Sequence, residues 1–212
     1  ELMRGLFITF EGPEGGGKTT QIKRLAAALR RKGYRPKITR EPGGTRLGEQ
    51  IRRLLLRQHK KGLDPRTELF LYLGSRSQHI SEVILPALKA GRIVLCDRFS
   101  DSTLVYQGSG RRLNLTFVGS AVAFASKPLK PDVTFLLDLN IKKGLARVRK
   151  RGQANRFDRE SLEFHQRIRR GFLSLARREP RRIYRIDAEQ ESGTVQAQIW
   201  EIISRKLARR GK

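Results

Sequence analysis

Residues 12–19 read Gly-Pro-Glu-Gly-Gly-Gly-Lys-Thr. Glycines at this density let backbone N–H groups turn inward around phosphate oxygens. A helix opening at the end of the loop adds a partial positive charge. Lys18 is placed to reach the β- and γ-phosphates of a nucleoside triphosphate, and Thr19 to offer its hydroxyl to Mg²⁺. Gly12, Pro13, Glu14, Gly15, Gly16, Gly17, Lys18, Thr19 and Thr20 are the triphosphate-binding candidates. Asp97 ends the apolar run 92–97 and suits a carboxylate that holds the Mg²⁺ shell; as a helix N-cap it would need no metal. One residue does not fit: Glu14 is a carboxylate inside a loop built to attract anions. The loop alone establishes triphosphate binding, which switches, motors and small-molecule kinases share.

The elements that must position these residues are legible as alternating patterns. Residues 6–10, Leu-Phe-Ile-Thr-Phe, form an apolar run that predicts a buried strand. Ile22, Leu25, Ala26 and Leu29 then repeat at helical spacing. Residues 36–40, 92–97, 133–138 and 183–187 predict four more strands. Helices are expected over 47–58, with Leu47, Ile51, Leu54 and Leu55 on one face, and over 192–208. Asp64-Pro65 reads as an N-cap with proline in the first turn of a long helix toward residue 80. Strands separated by helices predict an α/β fold with a five-stranded parallel sheet, covered by helices on both faces, in a single domain over 1–212. Ligands in such sheets bind beyond the carboxyl ends of the strands, where residues 12–19, Arg40, Asp97, Arg98 and Asp138 fall. The basic, apolar-poor stretch 147–160 predicts an exposed, mobile loop.

Composition narrows the setting. The chain contains no apolar run long enough to cross a bilayer, and its N-terminus does not resemble a secretory signal. A single cysteine, Cys96, lies in an apolar run, so a reducing cytoplasm is the expected location. With 46 Lys and Arg against 20 Asp and Glu, the formal net charge is +26, part of it concentrated in residues 142–182. Such a charge suits either a polyanion partner or simply a basic surface. No base-stacking signature or zinc spacing accompanies it.

Further motifs follow the loop in order: Thr-Arg-Glu-Pro-Gly-Gly-Thr at 39–45, Ser-Arg-Ser-Gln-His at 75–79, Asp97 to Gly108, Arg-Gly-Gln-Ala-Asn-Arg-Phe-Asp at 151–158, and Ile-Asp-Ala at 186–188. Together with the loop they resemble bacterial thymidylate kinases, P-loop nucleoside monophosphate kinases, from about Met3 to Ala208. The resemblance implies a P-loop NTPase fold with a mobile lid near 147–160. It implies transfer of the γ-phosphate of ATP to dTMP, with Mg²⁺. It also implies a role for Glu14, which would face the acceptor and take a hydrogen bond from the deoxyribose 3′-hydroxyl.

On the same basis Arg98 and Arg40 would clamp the dTMP phosphate, since a guanidinium fork matches two phosphate oxygens. A surface salt bridge is the plainer account of Arg40. Glu41 would touch the metal shell or cap its loop. Tyr72 lies one helical turn before Arg76 and would stack on thymine in place of the family's usual phenylalanine, leaving Phe70 to the core. Arg76 would donate to thymine O4, where cytosine presents a competing donor. Thr103 and Gln107 would complete the base edge, and Tyr106 would crowd the sugar 2′ carbon. Core packing is the alternative for both tyrosines.

The lid would supply the catalytic arginines Arg149, Arg151 and Arg156, while Arg147 would stack on adenine. In keeping with this, the loop itself has no arginine. Asn155 stands where the family commonly has aspartate, and surface charge is the alternative for any single lid arginine. No general base is required, because a phosphate monoester is largely dianionic at neutral pH. Alignment and charge neutralisation by Lys18, Arg98 and the lid would suffice. His79 is expected in helix packing. The resemblance further implies a homodimer, with no membrane partner and no need for nucleic acid. Another monophosphate kinase with a different base preference, and a basic nucleic-acid-binding P-loop protein, are the competing readings.

Overall fold

The computed structural model describes residues 5–127, 129–152 and 155–209. Five strands, β1 (Leu6–Glu11), β2 (Pro36–Arg40), β3 (Ile93–Asp97), β4 (Val133–Asp138) and β5 (Ile183–Asp187), form one sheet in the order β2-β3-β1-β4-β5. Every pairing is parallel, with Ile8 opposite both Leu95 and Val133. The central strands β1 and β4 are buried along their whole length, as expected for strands covered on both faces.

Helices α1 (Lys18–Arg31) and α9 (Ser192–Ala208) cover one face. There Ile22, Leu25, Leu29, Ile199 and Ile203 pack on Ile8, Phe10, Leu95 and Phe135. Alternation along β1 sends Phe7 to the other face, against Val94, Ile84, Leu88 and Phe99. That face is covered by α3 (Pro65–His79), which runs through a π-helical turn (Ile80–Ile84) into α4 (Leu85–Lys89). α2 (Arg46–Leu56) packs on α3, and α8 (Leu162–Arg178) packs on β4 through Phe164, Ile168 and Phe172. Asp64 caps α3 as its sequence predicts, accepting from the N–H groups of Arg66 and Thr67. No helix among the described residues is long and apolar enough to cross a membrane.

Several expectations are corrected. In α2 only Ile51 and Leu55 of the predicted apolar face are buried, together with Gly48; Leu47 and Leu54 are exposed. Phe70 is 59% exposed. The buried row of α3 runs Leu69, Leu73 and Arg76, and Phe70 lies about 100° round the helix from it. His79 packs on the buried side of α3, as expected. It is fully buried in a polar cluster, with Nε2 2.6 Å from Thr39 Oγ1 and Nδ1 3.1 Å from Glu41 Oε1.

The stretch 147–160 is less open than its composition suggests. α7 (Ile141–Lys150) carries its first part, and a 3₁₀ turn (Phe157–Arg159) buries Phe157. Gln153 and Ala154 of the expected lid lie outside the described residues, as does Met3. Between β3 and β4 the chain forms α5 (Ser100–Thr103), a π-helical segment (Leu104–Gly110) and α6 (Leu115–Ser126). α6 is apolar nearly all round, so it shows no polar stripe from which a periodicity could be read.

Candidate active site

Strand register places the site. Phe10 pairs with Asp97 and Arg40 also pairs with Asp97, so the ends of β1, β2 and β3 lie side by side. The loop after β1 closes tightly on its neighbours. Gly12 and Gly15 hold φ of +131° and +77°, and a Cβ at Gly15 would sit 2.3 Å from Gly144 O. Only glycine fits both restrictions. Gly17 enters α1 in the left-handed region with no side-chain cap, leaving the first N–H groups of the helix for a ligand.

Lys18 is 9% exposed and donates to Gly12 O at 3.1 Å and Pro13 O at 2.9 Å. Burial is the main cause that pushes its pKa down to about 8. Arg98 adds to the shift, while Asp97, Glu14 and Glu11 oppose it. Thr19 Oγ1 donates to Asp97 Oδ2 at 2.8 Å. A hydroxyl and a carboxylate oxygen side by side at the phosphate loop are the hard donors that Mg²⁺ takes, so these residues fit that ion.

A cavity of ≈ 280 Å³ opens beside this loop. Lys18, Arg40, Tyr72, Arg76, Asp97, Arg98, Thr103, Tyr106, Gln107 and Arg151 all line it, with Glu14 at the boundary with the loop. Glu14 accepts from Arg98 Nη2 at 3.0 Å and from Tyr106 Oη at 2.6 Å, while its buried Oε2 lies 3.7 Å from His165 Nδ1 and takes no hydrogen bond among the described residues. Burial would raise its pKa, but Arg98, His165, Lys18 and Tyr106 together hold it well below the carboxylate range. Arg98 takes a left-handed backbone (φ +68°), and its guanidinium donates to Gly12 O at 3.0 Å and lies 4.9 Å over the Tyr106 ring.

Arg76 is 1% exposed. Its Nε donates to Glu41 Oε2 and its Nη2 to Thr103 Oγ1, both at 2.8 Å, and Nη1 has no hydrogen-bond partner among the described residues. Glu41 is thereby committed to Arg76 and His79. Gln107 donates to Glu68 Oε1 at 2.8 Å. Tyr72 packs near Phe157, with burial foremost in raising the pKa of its hydroxyl. Arg40 is half-exposed and paired with Glu49 at 3.0 Å.

A second cavity of ≈ 370 Å³ lies across the loop, against Gly16, Gly17, Thr20, Gln21, Arg147 and Ala188. Arg147 donates to Ala188 O at 3.0 Å. The two cavities share Gly15 and Arg151. Arg149 is exposed and lines neither. Arg156 also lines neither, being held by Glu68 Oε2 at 2.7 Å and Leu55 O at 3.0 Å.

Three residues at the site escape a sequence reading. Arg52, on α2, lines the first cavity and donates to Pro42 O at 2.9 Å. Glu11 is buried behind Arg98, taking the Phe99 N–H at 2.8 Å and the Ser102 hydroxyl at 2.5 Å. Burial is the main cause that raises its pKa to about 7, with Asp101 next. Glu68 lies in the row of α3 that continues through Tyr72 to Arg76, a signal that helical spacing does carry.

The family model described as "Thymidylate kinase" matches residues 10–199. A thymidylate kinase of Desulfovibrio desulfuricans is 49% identical, the match covering 98% of this chain and 99% of that protein. One from Geobacter sulfurreducens is 47% identical over 97% of this chain and 100% of that protein. The crystal structure of thymidylate kinase from Ehrlichia chaffeensis superposes with a TM-score of 0.77 at 33% identity, covering 94% of this chain and 98% of that one.

Proposed function

The chain belongs to the thymidylate kinase family, and on that premise we propose that it moves the γ-phosphoryl group of ATP onto dTMP across the loop 12–19. One observation carries the assignment of the two cavities. They meet at Gly15 and Arg151, so a donor in one and an acceptor in the other approach each other at the phosphate loop. The cavity at Arg147 and Ala188 would take the ATP base, and the cavity at Arg76 and Tyr72 would take dTMP.

In this reading Lys18 leaves the carbonyls of Gly12 and Pro13 for the donor phosphates. Thr19 and Asp97 would hold Mg²⁺, which neutralises phosphate charge when bound. Arg98, backed by Glu14 and Gly12 O, faces the acceptor phosphate; Arg40 and Arg52 border the same cavity. Glu14 Oε2, 3.7 Å from His165 Nδ1, would accept the 3′-hydroxyl, and Arg76 Nη1 would donate to the base carbonyl. Among the arginines of 147–160, Arg151 has the support of its place between the cavities for neutralising the transferring group. Asn155 takes over a local anchoring role: its Oδ1 accepts the Phe157 N–H at 2.8 Å, and its own N–H donates to Asp158 at 2.8 Å.

A homodimer is the proposed assembly. Phe70 on α3 and Leu115, Phe117 and Phe124 on α6 are large, exposed apolar side chains on one helix pair. Phe124→Asp should shift sedimentation from dimer to monomer; an unchanged dimer would exclude this surface. A reducing cytoplasmic setting fits the buried, unpaired Cys96. The deciding experiment for the reaction is one coupled assay with ATP, Mg²⁺ and dTMP, dUMP, dCMP or GMP. kcat/KM for dTMP should exceed that for dCMP by at least about 10²-fold. Equal use of the two would remove the thymine assignment.

A further inference from the structure

Glu68 is a carboxylate with no exposed surface. Isolated burial of such a charge is strongly unfavourable, so its partners must come from the fold. They come from two stretches far apart in the chain, 107–111 and the segment carrying Arg156. Gln107 Nε2 in the π-helical segment donates to Oε1 at 2.8 Å. Arg111 donates through Nε at 3.1 Å and Nη2 at 3.2 Å. Arg156 Nη1, beyond α7, reaches Oε2 at 2.7 Å. Two guanidiniums around one carboxylate leave a surplus positive charge, which Glu160 offsets by pairing with Arg111 at 2.6 Å.

The segment carrying Arg156 is therefore tied to the wall of the acceptor cavity. Arg156 donates from its backbone N–H to Leu56 O at 3.4 Å, and its guanidinium lies 4.4 Å from the Phe157 centroid. Phe157 in turn sits edge-on to Tyr106 at 5.8 Å and lines the cavity beside Tyr72. Gln107 lines that cavity as well, so a base that engages Gln107 or Tyr72 perturbs the same cluster that grips Arg156. Arg156 Nη2 is buried with no hydrogen-bond partner among the described residues, so the grip leaves a donor unused there.

We propose that Glu68 is a positioning residue for phosphoryl transfer, coupling occupancy of the acceptor cavity to the placement of the arginine-bearing segment 155–160. The inference rests on the assignment of the Tyr72–Arg76–Gln107 cavity to the acceptor. Filling that cavity tightens the Glu68 cluster, and the segment is set before ATP reacts. Glu68 touches no reacting atom; it acts through Gln107 and Arg156.

Hydrogen–deuterium exchange on the whole enzyme, with saturating dTMP and no ATP, tests this directly. In the wild type, dTMP should slow exchange in peptides covering 72–79 and 103–107, and also in a peptide covering 155–160, by at least about fivefold. In Glu68→Gln at saturating dTMP the first two should still be protected and the third should not. The kinetic counterpart is a split: kcat falls at least about tenfold while the dTMP KM moves less than about threefold. Arg156→Gln should match it, and the double variant should be no worse than either single change. Protection of the cavity peptides without protection of 155–160 in the wild type would overturn the coupling, whether or not Glu68→Gln folds. Absence of dTMP protection at 72–79 and 103–107 would overturn the acceptor assignment, and the coupling with it. Additive losses in the double variant would also reject the proposal.

Discussion

Arg76 donates through Nε to Glu41 Oε2 at 2.8 Å, and both side chains are almost entirely buried. The pair fixes the guanidinium on the cavity wall with Nη1 unspent. Replacing Arg76 with Ala should weaken dTMP binding by about 1–3 kcal/mol, the cost of leaving a buried carbonyl without its donor. It should also narrow the ratio of dTMP to dCMP turnover. Removing the arginine takes away one of Glu41's two partners, leaving His79, so Arg76→Gln belongs beside it as the milder variant. Isothermal titration and paired kinetics measure both effects; an unchanged dTMP/dCMP ratio would count against base recognition here.

Lys18 is held by two loop carbonyls, and neither bond involves Tyr72, Arg76 or Gln107. Lys18→Ala should remove most turnover, at least about 10²-fold in kcat, while dTMP affinity stays within about threefold. Binding of dTMP in the absence of ATP is the informative readout. Near wild-type turnover in the variant would refute the role of the loop.

The basic segment needs a control for the field of a +26 chain. At least one Ala substitution among Arg149, Arg151 and Arg156 should lower kcat by about 10²-fold or more, and Arg151 is the expected site. Lys142 and Lys143 lie at the start of α7, where Lys143 pairs with Glu189, and neutralising them should change kcat less than about threefold. Steering of anionic substrates fades as salt rises. The Arg151 effect should therefore persist at high salt. If all these variants behave alike, the arginines are only surface charge.

Glu11 gives the protein a pH-dependent stability term. Its pKa in the fold is raised from the ordinary glutamate range to about 7, foremost by burial and then by Asp101. Between those values the native state binds more protons than the unfolded state, so this group's contribution falls as pH rises from about 4.5 to 7. Glu11→Gln removes the titration. Relative to wild type, the variant should gain about 1–3 kcal/mol between pH 5 and pH 8, read from urea midpoints. A pH-independent difference between the two proteins would show that Glu11 does not titrate in this range.

The parts of this protein that its sequence determined by itself are those where neighbours along the chain set the geometry. The glycines of 12–17 meet Lys18 and Thr19 within one loop and one helix turn, the cap at Asp64 acts on N–H groups two and three residues on, and apolar runs separated by helices require a buried parallel sheet. Tyr72 and Arg76 share a helical row for the same local reason. Partner choice and burial were decided only by tertiary structure, because they depend on contacts far apart in the chain. Glu11 and the Phe99 N–H it binds are 88 residues apart, and nothing in either local pattern joins them. Arg52 is one of several arginines on its helix until the packing of α2 on α3 turns it toward the cavity. Phe70 departs from its expected core position because helix orientation turns it to solvent, whereas the polar partners of the buried His79, Thr39 and Glu41, come from a distant strand and loop. The basic excess divides on the same principle. Composition counts the arginines, but the fold commits Arg169 and Arg185 to Asp138 and Arg182 to Asp101, leaving others on the surface.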